Sequence, residues 1–298
     1  MNESEKLKGI FPVLVTPMTE EEEVDEKGMR ELVRHVLKAE AAGLVVCGSM
    51  GEFPALSTED RRKAIEIVKD EVTDKVPVIA GTGDSSAKKT LQNTKIAEEA
   101  GADFALVVPP YYFPLAQREV ITYFRQLAAE TTIPILLYNI PECTKVPISL
   151  DAIRQLGNEE RIVGIKDSGG DFIFLEKLVK EAKQLEDFAV LNGIDNLILA
   201  GFAVGADGAI VWASNLVPKL PVELYKAVRD NNFEKARKIQ ETLVSLGEIM
   251  GRRELHSGLK TALSLLGICG KSVSKPLPPL SEEETNELAQ GLKELGML

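Results

Sequence analysis

From residue 10 to about residue 212 the chain alternates short apolar, β-branched runs with longer stretches whose apolar positions recur at helical spacing. Eight runs stand out, at residues 10–15, 43–47, 76–81, 104–108, 133–138, 162–166, 188–191 and 208–211. Most are continuous hydrophobics rather than alternating ones, as expected when both faces of a strand are covered in a parallel sheet with crossover helices. The stretches 26–41, 58–72 and 86–100 begin near Asp or Ser, which is helix-capping chemistry, and the first and third end at an Ala-Gly pair. Ala42-Gly43, Ala100-Gly101 and Ala200-Gly201 are accordingly expected at helix C-termini. Eight such units predict an α/β fold, a TIM (β/α)8 barrel. No GxGxxG follows the first strand, which argues against an open doubly wound sheet.

After Pro218 the pattern changes to helices alone, at residues 222–229, 233–249, around 259–266 and 282–295. The Pro-rich stretch Lys275-Pro276-Leu277-Pro278-Pro279 sets off the last of them. The expected division is a barrel over residues 1–217 and a C-terminal helical extension over 218–298, the extension serving packing or assembly rather than chemistry.

Composition narrows the function. The 298 residues are 44% hydrophobic and 27% charged, enough for one large core. A net charge of −11 argues against a nucleic-acid partner, whose phosphates are met by Lys and Arg. No apolar run reaches the roughly 18 residues of a membrane span, and the acidic start lacks a secretory pattern, so a cytoplasmic protein is expected. Cys47, Cys143 and Cys269 form no CxxC pair, and the two histidines, His35 and His256, lie far apart. Neither a disulfide framework nor a metal site is suggested.

Active sites of such barrels form at the C-terminal ends of the strands. Lys166 ends the sixth run and would point into the barrel mouth, where a lysine stripped of water becomes a nucleophile toward carbonyls. The competing reading is an ion-paired lysine, with Asp167 as the partner. Tyr138 ends the neighbouring run and would bring its hydroxyl beside Lys166, where forming and collapsing a carbinolamine needs a group that donates and accepts a proton. The turn Gly48-Ser49-Met50-Gly51 can present successive backbone N–H groups to an anion such as a carboxylate.

These residues carry a resemblance. Gly48-Ser49-x-Gly51-Glu52, Pro110-Tyr111-Tyr112, Tyr138-Asn139-Ile140-Pro141, Gly164-Ile165-Lys166-Asp167 and Gly205-Ala206-Asp207-Gly208 stand in an order and spacing similar to those of the dihydrodipicolinate synthase and N-acetylneuraminate lyase superfamily of class I aldolases. The resemblance implies that Lys166 condenses with a pyruvate-type 2-oxo acid as a Schiff base, with no separate cofactor. Tyr138 would shuttle the proton and Ser49 relay it. Tyr112 matches a tyrosine that completes the relay of a neighbouring subunit, implying a homotetramer built as a dimer of dimers. The N–H groups of Ser49 and Met50 would hold the carboxylate, and Ile210 matches a position whose carbonyl lines the pyruvyl pocket.

Departures bear on the second substrate. Met50 stands where the family usually has Thr, so one hydroxyl contact to the carboxylate is missing. Cys143 stands where dihydrodipicolinate synthases carry an Arg for the carboxylate of aspartate semialdehyde. Asn196 after Asp195, and Trp212 on the eighth strand, fit a bulky sialic acid poorly. The leading expectation is therefore an aldolase for a 4-hydroxy-2-oxo acid such as 2-keto-3-deoxygluconate or 4-hydroxy-2-oxoglutarate, with Ser168, Gly193 and Asp195 holding hydroxyls of the aldehyde half. The alternative is dihydrodipicolinate synthase itself. A sugar-acid dehydratase and a catalytically idle ligand-binding relative are further readings.

Overall fold

Each apolar run forms a strand buried along its whole length, in keeping with its continuous hydrophobic sequence. The strands are β1 (Gly9–Pro12), β2 (Leu44–Val46), β3 (Val78–Gly81), β4 (Phe104–Val107), β5 (Ile135–Asn139), β6 (Ile162–Asp167), β7 (Ala189–Asn192) and β8 (Gly208–Val211). The computed structural model describes residues 2–251 and 254–298. All neighbouring strands pair parallel, in the order β1-β8-β7-β6-β5-β4-β3-β2. A parallel bridge from Val13 to Val45, where the Leu14 N–H donates to the Val45 carbonyl at 2.9 Å, joins β1 to β2 and closes the sheet. The fold is the expected TIM barrel with a C-terminal helical part.

Local chemistry sets the helix starts. Ser57 and Asp60 form a reciprocal capping box ahead of Thr58–Val72, Ser86 caps Ala87–Glu99, and the Asp171 carboxylate accepts from Ile173 and Phe174 N–H. The ends are less regular than the Ala-Gly pairs suggest. The first helix stops at Leu37, because Glu40 turns left-handed and the Ala42 N–H is taken by the Ile10 carbonyl at the sheet. Gly201 lies inside the helix Ile198–Val204, which ends instead at Gly205 with φ 103°. A Cβ at Gly201 would stand 3.2 Å from the Asn192 Cβ, so glycine there lets the helix approach β7 rather than end.

The core is layered as in other barrels. One cluster fills the interior and the β1–β3 side, and a second lies between β4–β7 and the helices Gln117–Glu130, Leu150–Leu156 and Phe172–Ala182. Beyond β8, Lys219–Arg229 packs on β1 and on Ile198–Val204 in the barrel's outer layer. Phe233–Met250, Leu255–Leu265 and Glu282–Glu294 then pack on one another and return the chain to the barrel mouth.

Candidate active site

The parallel register of β5 and β6 places Tyr138 beside Lys166 and Asn139 beside Asp167. Because successive strand residues face opposite ways, the first pair enters the barrel mouth and the second faces away from it. Lys166 Nζ donates to the Tyr138 hydroxyl at 3.2 Å and lies 4.2 Å from the centre of its ring. Both side chains are buried. Asp167 does not pair with Lys166. Its Oδ1 accepts from the Asn139 amide at 2.7 Å and from the Gly169 N–H, a link that holds the two strand ends in register on the far side.

The third member of the chain comes from β2. Cys47 and Glu52 are both left-handed, with φ of 54° and 57°, and between them the segment Gly48–Gly51 curls over the mouth. This brings Ser49 Oγ to 3.3 Å from the Tyr138 hydroxyl, completing a hydrogen-bonded line from Lys166 through Tyr138 to Ser49. The Gly51 N–H closes onto the Gly48 carbonyl at 3.0 Å, and the Glu52 N–H onto the Ser49 carbonyl at 3.0 Å. Among the described residues, no acceptor takes the N–H of Ser49 or of Met50. Met50 is buried and brings no hydroxyl to the turn.

On the β7 and β8 side, Ser168 Oγ donates to the Gly193 carbonyl at 3.4 Å. A Cβ at Gly193 would sit 2.1 Å from that Oγ and 2.8 Å from Lys166 Cε, so glycine leaves the room in which the lysine stem lies. Asp195 is buried, and its two carboxylate oxygens accept from Ala213 N–H at 2.9 Å and Trp212 N–H at 3.4 Å. Burial pushes its carboxyl up to about 7 against the pull of those N–H groups and of the nearby Lys166 charge. Ile210 is fully buried in β8, opposite Phe11.

The model of the Dihydrodipicolinate synthetase family matches residues 6–295. The chain belongs to that family. A 4-hydroxy-tetrahydrodipicolinate synthase of Methanopyrus kandleri is 37% identical over 298 residues, covering 98% of both chains. Among solved structures, YagE, an E. coli prophage protein of the dihydrodipicolinic acid synthase family crystallised with pyruvate, aligns with a TM-score of 0.93 and 31% identity over 98% of this chain and 99% of that one. A structure described as the first monomeric dihydrodipicolinate synthase variant aligns with a TM-score of 0.95 and 31% identity, covering all of this chain and 99% of its own. The protein is thus a pyruvate-dependent lyase of the dihydrodipicolinate synthetase family.

Two further features lie near this hydrogen-bonded line. Tyr112 is 86% exposed, its φ of 85° in the left-handed region and its ring edge-on to the exposed Phe113. A cavity of about 330 Å³ open to solvent is lined by Ser49, Tyr111, Ile140, Cys143, His256 and Pro276.

The helical extension packs against the glycine turn itself. His256 Nε2 lies 3.0 Å from the Ser49 carbonyl oxygen and its Nδ1 lies 3.0 Å from a Glu254 carboxylate oxygen. Lys260 is an ion-pair partner of Glu52 at 2.5 Å, with side chains only 0% and 2% exposed. Ser274 adds its N–H and hydroxyl to the other Glu52 oxygen, at 2.7 and 2.6 Å. Sequence reasoning missed these three residues. The available signal was a lysine at a core-facing position of an otherwise apolar stretch, together with a glutamate closing the glycine turn.

Proposed function

We propose that the protein condenses pyruvate with an aldehyde through a Schiff base on Lys166, and that its reaction is that of a 4-hydroxy-tetrahydrodipicolinate synthase. The line Lys166–Tyr138–Ser49, with its 3.2 and 3.3 Å contacts, is the observation that supports the chemistry. The Lys166 amine attacks C2 of pyruvate to give a carbinolamine. Tyr138 hands a proton to the departing hydroxyl, water leaves, and Ser49 relays protons between Tyr138 and the outside. The N–H groups of Ser49 and Met50 hold the carboxylate. Tyr138, having given up its proton, takes one from the methyl group and turns the iminium into an enamine, whose carbon attacks the aldehyde carbonyl of aspartate semialdehyde. The resulting alkoxide regains the proton from Tyr138, and the amino group of the semialdehyde then attacks the iminium carbon, closing the ring and expelling the Lys166 amine. All parts of this come from the chain's own side chains and backbone, with no separate cofactor. Tyr112 serves the relay of a neighbouring copy, within a dimer that itself pairs into a tetramer.

The names of the relatives support the synthase reading over the aldolase that the sequence placed first. Eight curated relatives, at 33–37% identity over at least 96% of this chain, are all called 4-hydroxy-tetrahydrodipicolinate synthase. One observation favours the second reading, an aldolase for a 4-hydroxy-2-oxo acid. Cys143, whose thiol burial and Glu142 push upward, is a neutral group in the cavity wall where an arginine would grip a second carboxylate. In the aldolase case Ser168, Gly193 and Asp195 border the aldehyde end.

Borohydride reduction in the presence of pyruvate tests the common step, and Lys166 is expected to carry the trapped adduct. Pyruvate and aspartate semialdehyde are then offered together, and 2-keto-3-deoxygluconate and 4-hydroxy-2-oxoglutarate separately. The synthase reading expects condensation to outrun pyruvate release. Release from either sugar-type acid without condensation would establish the aldolase instead.

A further inference from the structure

The anion cradle proposed above lacks one contact because Met50 brings no hydroxyl, and the geometry points to His256 as the residue that compensates. Both ring nitrogens of His256 face atoms that only accept. Nε2 meets the Ser49 carbonyl oxygen at 3.0 Å, and Nδ1 meets a Glu254 carboxylate oxygen at 3.0 Å. A carbonyl oxygen can only accept, so at the Ser49 contact the His256 ring donates from Nε2.

The Ser49 carbonyl belongs to the same peptide group as the Met50 N–H. It already accepts the Glu52 N–H at 3.0 Å, so the His256 contact is its second donor. Hydrogen bonds in series polarise one another, and drawing electron density to the carbonyl oxygen makes the N–H at the other end of that peptide a better donor. The chain would run from the His256 ring through the Ser49–Met50 peptide to the carboxylate of the 2-oxo acid. His256 is then a positioning residue for that carboxylate, acting through the peptide. A simple tether of the glycine turn to the extension is the competing role, and the Glu52 contacts to Lys260 and Ser274 already supply one.

This inference rests on the Schiff-base reading of the site, and the experiment separates the two. Borohydride trapping on Lys166 is followed by intact mass across a range of pyruvate, and again with pyruvamide, whose neutral amide replaces the carboxylate. In His256→Ala the half-saturating pyruvate concentration is expected to rise about five- to tenfold, as loss of a strengthened ground-state contact implies. The trapping rate at saturation and the half-saturation for pyruvamide should hardly move. His256→Gln, which keeps an N–H donor on a differently shaped side chain, should fall between and carries the comparison if the alanine variant does not fold. In a Met50→Thr background, which restores a hydroxyl to the turn, the His256→Ala effect should shrink. Equal weakening for pyruvate and pyruvamide, or no weakening at all, would overturn the inference and leave the catalytic reading standing. Absence of any adduct on Lys166 in the unaltered protein would overturn both.

Discussion

Asp195 shows how one buried group writes itself into the pH dependence of the whole fold. Its carboxyl is pushed up to about 7, from an ordinary value near 4, mainly by loss of water. Between those values the folded chain holds a proton that the unfolded chain has released, so stability falls as pH rises through this window and levels off above it. The full effect is on the order of 4 kcal/mol at most. Asp195→Asn removes the titration, while its single amide oxygen can serve only one of the Trp212 and Ala213 N–H groups well, a loss of about 1 kcal/mol. Denaturant unfolding at pH 5 and pH 8 should therefore show the parent losing stability with pH by a margin that the variant lacks. Parallel behaviour of the two proteins would mean that Asp195 stays ionised throughout.

At the scale of elements, the extension is joined to the barrel by a buried charge. Lys260 and Glu52 have left water almost completely, and desolvation draws the Lys260 ammonium below its ordinary range even with Glu52 opposing. Removing one partner leaves the other charged and unpaired, which costs about 3–5 kcal/mol, whereas replacing both by apolar groups of similar size is often neutral. Lys260→Met should thus destabilise strongly in chemical denaturation, and Glu52→Leu combined with it should recover much of the loss. A double variant no better than the single would show that the Ser274 contacts carry the joint. Strand ends and their order were legible because continuous apolar runs and parallel register follow local rules, and that register alone puts Tyr138 against Lys166. His256, Lys260 and Ser274 were not legible, since they meet the β2 turn across 207 to 222 residues, a closure that no local pattern announces. Asp167 was the reverse case. Adjacent to Lys166 in sequence, it was a candidate partner until strand alternation carried it to the other face.

At the scale of the molecule, the role proposed for Tyr112 bears on whether one chain is a complete enzyme. An aromatic residue held at φ 85° and 86% exposed beside another exposed ring is an expensive way to end a loop, since a left-handed non-glycine costs about 1 kcal/mol or more. Among the described residues, the hydrogen-bonded line Lys166–Tyr138–Ser49 makes no bond to it. If it completes the relay of a second copy, Tyr112→Phe and Lys166→Ala should each be severely impaired alone but rescue each other when mixed. In a mixed dimer one site combines the intact Lys166 of the first variant with the intact Tyr112 of the second, while its other site lacks both. Random reassortment makes half of the dimers mixed, each with one working site, so activity should return to about a quarter of the parent value. The measurement is turnover after the two variants are dissociated and reassociated together, against each treated alone. Recovery near a quarter assigns the hydroxyl to the partner's site. No recovery, with mixed dimers confirmed by mass, would confine each relay to its own chain and leave the outward tyrosine to assembly alone.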